Sequence, residues 1–86
     1  MIINFSNKAK KLYKKLPLTI KKKADKQLKF IRVNPNHPSL NVKKMQGFEN
    51  RWEARIDLHY RFTFEKHEDI ITLRTIGPHD EGLGKK

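Results

Sequence analysis

The feature that most constrains this chain is a switch of hydrophobic period across Asn34-Pro35-Asn36-His37-Pro38. Upstream of it, Phe5, Ala9, Leu12, Tyr13 and Leu16 recur at helical spacing, and Ile20, Ala24, Leu28 and Ile31 repeat the pattern beyond Pro17. Downstream, apolar residues alternate with polar ones. Trp52, Ala54 and Ile56 alternate with Arg51, Glu53, Arg55 and Asp57, and Tyr60, Phe62 and Phe64 with Arg61, Thr63 and Glu65. Ile71, Leu73 and Thr75 alternate with Ile70, Thr72, Arg74 and Ile76. A chain that changes from period 3.6 to period 2 buries its apolar surface by laying helical stripes on one face of a sheet.

Local signals divide these segments into elements. Ile2–Phe5 reads as a short edge strand, and Ser6 caps a first helix. Pro17 breaks that helix and opens a second, giving a helical hairpin. Asn34 precedes a proline and so leaves helical geometry. Leu40, Val42 and Met45 are expected in a strand that Gly47 ends. Turns follow near Leu58-His59 and over Lys66–Asp69, and Gly77-Pro78 stops the last strand. The predicted architecture is α+β, a helical hairpin on one face of a twisted, mainly antiparallel four-stranded sheet, in one domain over residues 1–86.

With 86 residues and 36% hydrophobic content, the chain supports one modest core. The absence of cysteine excludes disulfides and thiolate zinc sites, so packing alone must hold the fold. No stretch approaches the ~20 apolar residues of a membrane span, so the protein is read as soluble and cytoplasmic, with no membrane partner. The net charge is +11 and is unevenly spread: residues 1–34 carry 11 Lys or Arg against Asp25, and residues 35–86 carry 9 against 8 acidic residues. Such a surface favours a polyanion, nucleic acid or an acidic protein. Lys22 and Lys26 on the second helix are candidate RNA contacts, although a lysine-rich helix face also serves plain solubility.

Strand pairing in sequence order places Arg55, Arg61 and Arg74 on three successive strands, opposite the face of Trp52, Phe62 and Leu73. Guanidinium groups stay charged and present a planar fork of donors that matches phosphate. Glu53, Asp57 and Glu65 can instead neutralise them as cross-strand pairs. Lys43 and Lys44 are adjacent in a strand, so only one joins the arginine face. His79, just past Gly77-Pro78, is a candidate for proton transfer near neutral pH. The histidines at 37, 59, 67 and 79 lack metal-ligand spacing, and there is no phosphate-cradling glycine loop, so no metal and no small-molecule cofactor is expected. Trp52, Tyr60, Phe62 and Phe64 fit core packing better than base stacking.

Several pieces in order resemble the RelE/ParE superfamily of toxins from type II toxin–antitoxin systems. They are Leu16-Pro17 between two helices, His37-Pro38-Ser39-Leu40, Lys43-Lys44-Met45-Gln46-Gly47, Trp52-Glu53-Ala54-Arg55, Tyr60-Arg61-Phe62 and Thr75-Ile76-Gly77-Pro78-His79-Asp80. The resemblance implies an endoribonuclease that cleaves mRNA in the ribosomal A site without metal, and a cognate antitoxin that wraps and blocks it. It implies that Arg61 stabilises charge on the scissile phosphate and that His79 acts as general acid or base. Arg55 and Arg74 become supporting phosphate contacts, and Lys43 or Lys44 positions the RNA backbone. Many relatives place a Tyr or Phe near the C-terminus where this chain reads Glu81-Gly82-Leu83-Gly84, a departure that points toward a weakened or lapsed nuclease. A gyrase-directed toxin of the ParE type and a non-catalytic RNA- or ribosome-binding module are the alternatives.

Overall fold

The computed structural model describes residues 1–78. The switch at Asn34–Pro38 is a change of layer. Strand β1 (Ile2–Phe5) leads into helices α1 (Asn7–Lys14) and α2 (Leu18–Val33). Strands β2 (Lys43–Lys44), β3 (Trp52–Arg55), β4 (Tyr60–His67) and β5 (Ile70–Pro78) follow. Among the described residues no helix is long and apolar enough to cross a membrane.

Ser6 starts α1 as expected. Its hydroxyl accepts the Ala9 N–H at 3.1 Å and donates to the Arg74 carbonyl at 3.2 Å, so one side chain both caps the helix and fastens it to β5. Pro17 stands just before Leu18, where its missing N–H costs nothing. α2 buries Ile20, Ala24, Gln27 and Ile31. Leu28, placed on the stripe from sequence, is only partly buried, and Gln27 takes the deeper position. The Gln27 amide earns that place by donating from Nε2 to the Ser39 carbonyl at 3.1 Å and to the Arg55 carbonyl at 2.8 Å.

The segment after the helices departs from expectation. Asn34 is extended, as a residue before proline must be, but Leu40, expected to begin a strand, instead closes a 3₁₀ turn over Pro38–Leu40. His37 Nδ1 accepts the Ser39 N–H at 3.2 Å, and the His37 ring stacks on Phe30 at 4.1 Å between centroids. Leu40 is fully buried at the turn, and Asn41 takes a left-handed conformation (φ 49°). The expected first strand therefore shrinks to Lys43–Lys44.

The sheet order is β1-β5-β4-β3-β2, with β1 parallel to β5 and the other pairs antiparallel. The meander of β2 to β5 is as anticipated, but the sheet is mixed and five-stranded, not four-stranded, because Ile2–Phe5 pairs with Ile70–Leu73. The helical hairpin also needs amendment. α1 packs on β5 and β1, while α2 reaches β1 and the 3₁₀ turn, so both helices are organised chiefly by other elements. Between them runs the Tyr13 hydroxyl bond to Asp25 Oδ1 at 2.7 Å.

A bulge in β5 is the other surprise. Thr63 pairs with Thr75 and Phe64 with Leu73, leaving Arg74 as the extra residue. The alternation flips there: Ile76 turns into the core at 2% exposure, and Thr75 turns out of it to meet Thr63, their hydroxyls 2.6 Å apart. Phe62, Phe64, Ile71, Leu73, Ile76 and Ala54 then meet Ala9, Leu16, Ile20, Ala24 and Ile31 in one core. Both helices lie on that side of the sheet. Among the described residues no helix covers its other side, a floor presenting Lys43, Arg51, Glu53, Arg55, Arg61, Glu65 and Arg74.

Candidate nucleic-acid interface

Arg55 and Arg61 are direct cross-strand partners, with Gly77 next in the row on β5. Like charges placed opposite each other repel, so such a pair needs compensation. Arg61 supplies its own. Its Nη1 donates to the carbonyls of Asp57 at 2.6 Å, Leu58 at 3.4 Å and Tyr60 at 3.0 Å, capping the β3–β4 turn with guanidinium charge. All these bonds leave from Nη1, so the fork is anchored along one edge, and among the described residues Nε and Nη2 are left for another acceptor. A Cβ built on Gly77 would meet nothing within 4 Å, so the glycine leaves open floor beside Arg61.

The turn that holds Arg61 is itself held by Asp57. Oδ1 accepts the N–H groups of His59 (2.9 Å) and Tyr60 (3.0 Å), and Oδ2 pairs with Lys23 Nζ on α2 at 3.2 Å. Partial burial pushes the Asp57 carboxyl upward, but the His59 N–H, Lys23 and the Tyr60 N–H together outweigh it and leave it below the usual carboxylate value.

Arg55 is half-buried, and its Nε is shielded from solvent with no hydrogen-bond partner among the described residues. A buried charged donor left unpaired is costly, and an incoming anion is a natural way to satisfy it. Arg74, on the bulge, shares the floor but not the row. Its Nε is 3.9 Å from Glu65 Oε2, which also accepts from Arg51 Nη2 at 3.2 Å. The cross-strand neutralisation anticipated for Glu65 is therefore present, whereas Asp57 serves Lys23 and the turn.

The remaining candidates divide by face. Lys43 is in register with Glu53 and shares the arginine floor; Lys44 is in register with Trp52 and belongs to the opposite face. Lys22 and Lys26 are exposed on α2, in the layer across the sheet from Arg55 and Arg61. His79 lies outside the described residues. Phe62 and Phe64 are fully buried and pack on each other at 5.8 Å, as core residues do. Trp52 is half-buried with Lys66 Nζ 4.2 Å over its ring. Sequence reasoning missed the part Arg51 plays in tying Glu65, although the alternation had already placed it on this floor.

No protein-family model matches the chain, and no curated protein matches its sequence. Solved structures do match its fold. A RelB–RelE antitoxin–toxin complex from Methanococcus jannaschii aligns with TM-score 0.76 at 23% identity, covering 94% of this chain and 95% of that one. The YoeB/ParE toxin from Agrobacterium tumefaciens aligns with TM-score 0.77 at 13% identity, covering 92% and 99%. The isolated RelE toxin of E. coli aligns with TM-score 0.72 at 19% identity, covering 98% and 92%. The resemblance drawn from short motifs thus holds at the level of the whole backbone: this chain has the fold of the RelE and YoeB toxins.

Proposed function

We propose that the protein is the toxin of a type II toxin–antitoxin system, an endoribonuclease that cuts mRNA in the ribosomal A site. The observation that carries this reading is the Arg55–Arg61 row, two guanidinium groups on an open sheet face in a RelE/YoeB fold. Cleavage without metal needs a 2′-hydroxyl to attack its adjacent phosphate, a base to take its proton, and an acid to protonate the departing 5′-oxygen. Arg61, pre-set by its turn carbonyls, holds the charge that builds on the phosphate, and Arg55 takes a second oxygen. His79 carries one of these two proton transfers, as general acid or general base. Arg74 and Lys43 extend the cationic floor to flanking phosphates, while Lys22 and Lys26 meet RNA from the helical side. Lys44 is the weaker member of its pair, being in register with Trp52.

A cognate antitoxin, as in the RelB–RelE complex cited above, is the expected protein partner. The protein acts in the cytoplasm. Primer extension on mRNA from expressing cells tests the reading: discrete cuts within translated codons are expected. Combining His79→Ala with Arg61→Ala is expected to abolish growth arrest while the protein stays folded. DNA damage with intact mRNA would replace this reading with a gyrase-directed one, and salt-sensitive RNA binding without any cleavage would replace it with a binding module.

A further inference from the structure

The connection between β2 and β3 carries a side chain that neither the core nor the arginine row uses. Phe48 is 47% exposed, next to Gly47, whose φ of 87° makes the turn. The ring is not loose. The Arg51 guanidinium carbon stands 4.6 Å from its centroid, and Arg51 is in turn fixed by its 3.2 Å bond to Glu65. One face of the ring is thus backed by an anchored cation while nearly half of the residue faces solvent. Arg51 alternates with Glu53 and Arg55 and so shares the open floor, with Lys43 beside Glu53 along the way. Four residues of extended chain separate Arg51 from Arg55, about 13 Å at ~3.3 Å per residue. A stacked strand rising ~3.4 Å per nucleotide spans that in about four nucleotides, and a stretched one in fewer.

We propose that Phe48, backed by Arg51, is a stacking platform for one nucleobase of the bound RNA, a few nucleotides from the phosphate held by Arg55 and Arg61. The proposal rests on the RNA-cleaving reading above and adds a subsite to it. Any base can stack on a phenyl face, and purines, with the larger π surface, gain most.

The test uses the full chain and an uncleavable 2′-O-methyl RNA, free and in the A site of programmed ribosomes. Phe48→Ala is expected to weaken binding by about 5- to 160-fold, the range of one base–aromatic stack. Phe48→Trp retains binding, and its emission is quenched on RNA addition beyond any change in Trp52 of the wild type. An abasic nucleotide at one position removes the difference between wild type and Phe48→Ala; abasic nucleotides elsewhere leave it intact. Binding of Phe48→Ala within about twofold of wild type, or a difference that survives every abasic position, overturns the platform. If Arg55→Gln weakens binding and Phe48→Ala does not, the subsite fails alone; if the wild type binds RNA in neither form, the nuclease reading fails with it.

Discussion

The sheet floor and the helical layer are both basic, yet they hold charge in opposite ways. On the floor, Arg61 is bonded to three carbonyls, and Arg51 and Arg74 share Glu65. On the helices, Lys22 and Lys26 are exposed, and among the described residues the ion pair of that layer is Lys23 with Asp57, which itself belongs to the β3–β4 turn. Long flexible ammonium groups give sequence-independent attraction and steering. Guanidinium groups locked by backbone acceptors give geometry, because their orientation is set before the ligand arrives. Net charge alone therefore does not locate a reaction site; the number of charges already fixed in direction does.

That contrast can be broken by exchanging losses between the two faces. Arg55→Gln is expected to lower single-turnover mRNA cleavage on programmed ribosomes by about 10²- to 10³-fold, the range for removing one transition-state donor. Lys22→Gln with Lys26→Gln is expected to leave cleavage at saturation nearly unchanged. It should flatten the log–log salt dependence of RNA binding by about 1.4 to 1.8, from two lost phosphate contacts. Equal effects on both quantities from both variants would erase the distinction between the layers.

A smaller effect is expected at Asp57, where the two layers meet. Asp57→Ala removes the carboxylate oxygen that accepts both N–H groups of the turn that carries Arg61, and is expected to cost about 1–2 kcal/mol in chemical denaturation and to reduce cleavage as well. Lys23→Ala removes only an exposed partner and should cost under ~1 kcal/mol. The smallest effect is on pH dependence. Because the Asp57 carboxyl is lowered in the folded protein, its contribution is complete above its unfolded value near 3.8 and is lost as pH falls through the folded value. The stability gap between wild type and Asp57→Asn should accordingly shrink on acidification and stay constant near neutrality.

The parts of the fold written in local periodicity were legible in the chain, and those set by distant partners were not. Trp52 to Phe64 alternates cleanly, so the shared face of Arg55 and Arg61 and the core face of Phe62 and Phe64 followed directly, although not the register that sets the two arginines opposite each other. Thr72-Leu73-Arg74-Thr75-Ile76 also looks regular, but the bulge slips one residue, and nothing local announces it; the Thr63–Thr75 hydroxyl pair and the burial of Ile76 become visible only across strands. Ile2–Phe5 looked like an edge strand, but its parallel partner stands 68 positions further along the chain. At the site, the face shared by the arginines was readable, whereas the return of Arg61 onto its own turn depends on loop carbonyls that carry no side-chain code. Phe48 was overlooked for a similar reason, since it lies in a loop without periodicity.

Gln27 has a consequence that reaches beyond its own burial. One carboxamide joins α2, the 3₁₀ turn and the end of β3, segments that a local fluctuation would otherwise release separately. They should behave as one cooperative opening unit, their amides exchanging with deuterium at matched rates. The backbone behind Arg55 is thereby tied to a sixteen-residue helix although it lies at the end of a four-residue strand.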